Sequence, residues 1–103
     1  MSKYTSDPEV VWKHEIELDD IIEVELPISA EVLLFSKQGS SFYLWEKHKV
    51  RHNNDRMPST LIILGTGHQS PDEWQLGKHL GTIQDSFFVW HLFEVYDQRG
   101  NMS

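Results

Sequence analysis

Residues 31–47 read EVLLFSKQGSSFYLWEK. Two strand-like runs rich in apolar residues, Glu31–Lys37 and Ser41–Lys47, flank Gln38-Gly39-Ser40. A short glycine-containing connection between two such runs predicts a β-hairpin. Strand patterns extend in both directions along the chain. Upstream, VVWKHEIEL (10–18) places Trp12, His14, Ile16 and Leu18 on one face and Lys13, Glu15 and Glu17 on the other, the pattern of a half-buried antiparallel strand. IIEVEL (21–26) repeats it with Ile22, Val24 and Leu26 inward. Downstream, residues 48–58 read as a polar loop closed by Pro58. STLIILG (59–65) and SFFVWHLFEV (86–95) are continuous enough for central strands, with a short strand HLGTIQ (79–84) and an Asp85-Ser86 turn between them.

Only SPDEWQLGKH (70–79) suggests a helix, near 70–78. Ser70 would cap it, Pro71 would take the first helical position, Asp72 and Glu73 would favour the positive dipole end, and Gly77 would stop it. The expected fold is mainly β, α+β at most: a small antiparallel barrel or two-layer sandwich of about six or seven strands. Residues 9–96 form one β-rich domain, with 1–8 and 97–103 expected as flexible ends.

Composition narrows the function. The 103 residues suffice for one modest core, and 39% hydrophobic content with four tryptophans favours a packed domain. With no cysteine, disulfides, thiolate metal sites and cysteine nucleophiles are excluded. No apolar run approaches the length of a spanning helix, and MSKYTSDPEV lacks the apolar middle of a signal peptide, so a cytoplasmic protein with no membrane partner is expected. The net charge of −7 is uneven. Asp7, Glu9, Glu15, Glu17, Asp19, Asp20, Glu23, Glu25 and Glu31 outweigh Lys13, whereas 47–56 holds Lys47, Lys49, Arg51 and Arg56. An acidic balance argues against sequence-specific nucleic-acid binding.

The motif that carries chemistry is LIILGTGHQSP (61–71). Gly65 and Gly67 allow backbone amides to turn toward an anion, and Thr66 and His68 add side-chain donors. A helix opening at Ser70 would aim further amides at the same corner. The alternative is a tight turn that needs a positive φ. There is no P-loop lysine and no complete dinucleotide fingerprint. His91, within WHLFE (90–94), is either a hydrogen-bonded structural imidazole or a pocket-lining residue. Trp74 would sit beside the GTGH loop as an aromatic lid, and Lys49 and Arg51 would close over phosphates. The histidines lack metal-site spacing, and no cofactor or metal is expected. No nucleophile elbow appears, so a catalytic residue is not assigned.

The series VWKHEIEL, IEVELPISAEVL, LWEK, ILGTGHQSPDEW, GKHLGTIQ and FVWHLFEV resembles a family of small bacteriophage and prophage proteins defined only as a domain of unknown function. The resemblance spans roughly residues 9–96 and is most specific at Gly65-Thr66-Gly67-His68 and Trp90–Glu94. It implies a phage accessory protein acting in the host cytoplasm. The expected function is non-enzymatic: countering host antiviral defence by sequestering a small anionic, nucleotide-derived signal through Gly65, Thr66, Gly67, His68, Trp74, Lys49, Arg51 and His91. The alternative is an acidic inhibitor that binds a host defence protein or nuclease directly, and a nucleotide-cleaving hydrolase ranks third. A homo-oligomer joined through strand edges or aromatic patches is expected.

Overall fold

The hairpin around Gly39 is formed by β3 (Glu31–Gln38) and β4 (Ser41–Lys49). Gln38 pairs with Ser41, so Gly39-Ser40 is a two-residue loop, and Gly39 takes φ +61°, which a glycine accepts without steric cost. The structure, a computed structural model, describes residues 7–97. The remaining strands are β1 (Glu9–Ile16), β2 (Ile21–Pro27), β5 (Arg56–Gly65), β6 (Trp74–Asp85) and β7 (Phe88–Asp97). A single 3₁₀ turn, Val50–His52, precedes β5 among the described residues.

The strands form two antiparallel sheets, ordered β1-β4-β3 and β2-β5-β7-β6, that face each other without closing into a barrel. Ile16, Phe35, Phe42 and Leu44 from the first sheet meet Ile22, Leu26, Leu61, Ile63, Ile83 and Leu92 from the second. The inward register expected for Ile22, Val24 and Leu26 holds, and β5 and β7 are the central strands of their sheet. Leu18 differs: β1 ends at Ile16, and Leu18 lies in the exposed connection to β2.

The helix expected near 70–78 is absent. Pro71 to Trp74 closes one turn, with the Trp74 N–H donating to the Pro71 carbonyl at 3.2 Å, and the chain then enters β6. Trp74, Gln75 and Leu76 pair with Asp97, Tyr96 and Val95. Local helix signals of a few tenths of a kcal/mol each lose here to a ladder of backbone hydrogen bonds that only the folded sheet supplies. Arg56–Pro58, expected in a loop, likewise belong to β5, opposite Glu25–Pro27. The β6–β7 turn is Ser86-Phe87, one residue later than expected, with Ser86 at φ +57°.

At the ends, Asp7 and Pro8 are anchored. The Val50 N–H donates to the Pro8 carbonyl at 2.9 Å, and Asp7 bonds Lys49 and Arg51. The expectation of flexible ends otherwise falls on residues 1–6 and 98–103, outside those described. No described helix is long and apolar enough to cross a membrane.

Candidate functional site

The GTGH segment is a β-turn. The His68 N–H donates to the Gly65 carbonyl at 3.0 Å, and Gly67 at φ +89° occupies the position that requires a positive φ. The Thr66 N–H donates to Val89 at 3.1 Å. Two amides that would have cradled a phosphate are thus bonded to the protein's own carbonyls, and no helix follows at Ser70 to add more. The Thr66 and His68 amides are therefore not free for a ligand at this corner.

Strand register sends those side chains to opposite faces. Leu64 pairs with His91, and Gly65 pairs with Trp90. His91 is therefore on the outer face of its sheet and Trp90 on the inner face. A Cβ on Gly65 would lie 2.9 Å from His68 Cε1 and Nδ1 and 3.3 Å from Trp90 Cζ3, so the His68 ring folds back over Gly65 beside the indole. Thr66 reaches the other way. His68 and His91 do not share a pocket.

On the outer face, Thr66, His91, Thr82 and His79 form one hydrogen-bonded row. His91 Nε2 is 2.8 Å from Thr66 Oγ1, and its Nδ1 is 3.0 Å from Thr82 Oγ1. His79 Nε2 lies 2.8 Å from the same Thr82 hydroxyl. A β-bulge around Leu80 brings His79 and Thr82 to one face, where His79 also packs against Phe93 at 5.2 Å between ring centroids. His79, one of the histidines that could converge with His91, does reach it through Thr82, a meeting that strand periodicity does not foretell because a residue inserted in β6 breaks the strict alternation.

The other expected ligand residues lie elsewhere. Lys49 and Arg51 stand near the start of β5, separated from Gly65 by the length of that strand, about 30 Å at ~3.3 Å per residue. Both are engaged: Lys49 Nζ is 2.9 Å from Asp7 Oδ2, and Arg51 Nε is 3.2 Å from Asp7 Oδ1. The hydrogen bond from Lys49, assisted by the charges of Arg51, Lys49 and His52, holds the Asp7 carboxyl below its usual range. Trp74 pairs with Asp97 while Gly65 pairs with Trp90, which puts about 23 Å of β7 between the indole of Trp74 and the turn. Trp74 instead lines a cleft of about 390 Å³ at the open end of the two sheets, with Leu26, Pro58, Leu80, Glu94 and Tyr96.

A second titratable cluster lies inside the first sheet. Phe42, Leu44, Glu46 and His48 alternate inward along β4, and Glu46 and His48 are both 0% exposed. His14 Nε2–H donates to Glu46 Oε2 at 2.9 Å, and His48 Nδ1–H donates to the same carboxylate at 3.0 and 3.1 Å. His48 Nε2 is 2.7 Å from Asn53 Oδ1. Trp12 covers the network, edge-on to His48 at 4.4 Å, and the Arg56 guanidinium lies 5.1 Å over Trp12. A carboxylate between two imidazoles resembles a catalytic array; here Glu46 and His48 are fully buried, and His14, 15% exposed, is the member nearest the surface. His48, expected in the 48–58 loop, instead belongs to β4, which runs to Lys49 and carries it in phase with Leu44 and Glu46.

Compared with known proteins, residues 8–102 match a family described as a domain of unknown function, DUF7352. No curated protein and no solved structure matches the chain.

Proposed function

Since the chain belongs to the DUF7352 family, a definition that carries no activity, its role is read from its own residues, and we propose a non-enzymatic binding module for a small anionic, nucleotide-derived ligand. The row Thr66–His91–Thr82–His79 carries this reading. Hydroxyls rotate to donate to an incoming oxygen, and imidazole gains a proton, and with it a charge, when an anion is near. None of the four side chains bonds a carboxylate among the described residues, so an anion meets no internal competitor. Binding is favoured over turnover for the same reason. Thr66 and His91 are within reach of nucleophile–base chemistry, but the group behind His91 is the neutral Thr82 hydroxyl, which does not stabilise an imidazolium as a carboxylate does. In the phage setting that the motifs imply, capture of such a ligand withdraws a signal from host antiviral defence.

The test is calorimetric titration of the full chain with a nucleoside diphosphate. His91→Ala removes a charge-assisted donor worth roughly 1.5–3 kcal/mol, about ten- to a hundredfold in affinity. Wild-type affinity should rise as pH falls from about 8 to 6, the range in which imidazole charges, because an anion favours the protonated form. Unchanged affinity in folded His91→Ala and Thr66→Val variants would refute the assignment.

One observation favours a second reading. Glu15, Glu17, Asp19 and Glu23 line a single surface depression of about 290 Å³ where β1 leads into β2. A concave acidic surface suits docking of a basic partner such as a host defence protein or nuclease.

A further inference from the structure

We propose that the cleft at the open end of the two sheets binds a small organic cation, an ammonium group on an apolar body, with the Glu94 carboxylate accepting its N–H. This goes beyond the anion row: the charge is opposite, the residues are different, and the site lies between the sheets. Strand register puts the carboxylate there. Glu94 on β7 pairs with Leu61 on β5, and Leu61, 2% exposed, is part of the core. Directly opposed residues share a face, so the Glu94 side chain stands on the inner face, in step with the buried Leu92. The same alternation brings Tyr96 to that face, along with Met57 and its partner Leu26. Leu26, Met57, Leu61, Glu94 and Tyr96 all line the cleft, and Val32 of β3 lines it from the opposite sheet. Its volume of about 390 Å³ lies within the range of ligand cavities, about 300–1,000 Å³.

Glu94 is the one charged residue among those lining the cleft. It is half-buried, and no ion pair among the described residues reaches it. Lys37, Lys47, Lys49 and Arg51 pair instead with Asp7, Glu9, Glu31 and Asp85. A carboxylate turned inward among apolar groups gives up part of its hydration, and a charged N–H donor restores what is lost. The walls then choose among cations. A metal ion or a polyamine holds its water tightly and gains nothing from Leu26, Met57 and Leu61. An ammonium on an apolar body buries that body against them. Trp74 and Tyr96 also line the cleft, and an aromatic face attracts a cation. An anion of the same shape meets the charge of Glu94 and is repelled.

The experiment is a ¹H–¹⁵N spectrum of the ¹⁵N-labelled full chain, titrated separately with three probes. Phenethylammonium carries the charge, phenethyl alcohol has the same body without it, and phenylacetate reverses it. Amide signals of Leu61, Glu94 and Tyr96 should move and saturate with the ammonium, at least about fivefold tighter than with the alcohol, and stay in place with phenylacetate. Glu94→Gln keeps the shape and removes the charge. It should weaken the ammonium about fivefold or more and leave the alcohol within about twofold. A carboxylate that only supports the fold would change both ligands alike or neither. His91→Ala should leave the ammonium titration unchanged, which separates the cleft from the anion row. The comparison of the three probes on the wild type needs no variant, so it decides the matter even where Glu94→Gln folds poorly. The proposal is overturned if the ammonium fails to move these signals through millimolar concentrations, if the alcohol binds the wild type as tightly, or if folded Glu94→Gln binds the ammonium as the wild type does.

Discussion

Removal of the Glu46 carboxylate is expected to be the most damaging single change in the described structure. Glu46 is 0% exposed and accepts hydrogen bonds from His14 and from His48, which is also 0% exposed. In Glu46→Ala the His48 Nδ1 loses its acceptor inside the core, His14 loses its anchor, and the side-chain volume becomes a void. Stripping the acceptor from two imidazole N–H groups costs about 1–3 kcal/mol for each, and with the void the loss is about 3 kcal/mol or more. That is a large fraction of the ~5–15 kcal/mol by which a domain of this kind is stable. At roughly 4–8 °C per kcal/mol for a small domain, Tm should fall by at least about 12 °C. Glu46→Gln keeps the shape and one acceptor oxygen and should fall between the variant and wild type. Thermal melts followed by far-ultraviolet circular dichroism, with urea unfolding as the second measure, read the effect. Glu15→Ala, on an exposed position of the same β1–β4 pair, is the control and should shift Tm by no more than about 2 °C. A fall of less than about 5 °C in Glu46→Ala would show that the His14–Glu46–His48 network does not hold the first sheet, and the reasoning from its burial would fail.

Three further outcomes are expected. Gly81→Ala should lower Tm by several degrees, since the new Cβ would lie 2.7 Å from Phe35 Cβ at the contact between the sheets, and overpacking costs about 1–3 kcal/mol; an unshifted melt would mean that β3 and β6 can separate freely. Reversing Glu15, Glu17 and Glu23 to lysine should leave the melt nearly unchanged and abolish inhibition of a basic target if the acidic depression is a docking surface, with wild-type inhibition weakening as salt rises; retained inhibition in the triple variant removes that reading. Lys49→Ala with Arg51→Ala should leave nucleoside diphosphate affinity within about twofold in calorimetry, because both side chains are bonded to Asp7 and lie about 30 Å from the turn.

Much of this fold is legible in the chain. Gly39 between two strand-like runs fixes a hairpin, because a two-residue loop needs a positive φ there and the strands on either side then have one register. Ile22, Val24 and Leu26 declare their inward face for the same reason: a shift by one residue would turn the whole set to solvent. Leu61, Ile62 and Ile63 read as a strand covered on both faces, and all three are buried. The segment 70–78 misleads because Ser70, Pro71, Asp72 and Glu73 are sound helix-start residues in isolation. Their preference is overruled by pairing with Val95–Asp97 of β7, which no local window contains.

The candidate site divides along the same line. Gly65 and Gly67 announce a turn, and the turn is there, with Gly67 at φ +89°. Sequence also fixes the residue types at this corner, the absence of any thiol, and an acidic surface. It does not decide which residues meet. The pairing of Leu64 with His91 and of Gly65 with Trp90 sends His91 outward and Trp90 inward, a bulge in β6 delivers Thr82 and His79 to His91, and the span of β7 carries Trp74 away from the turn. Periodicity is a property of consecutive residues and survives in any window of the chain. Cross-strand register and the faces that meet across it depend on hydrogen bonds between residues distant in sequence, and those exist only once both sheets have formed.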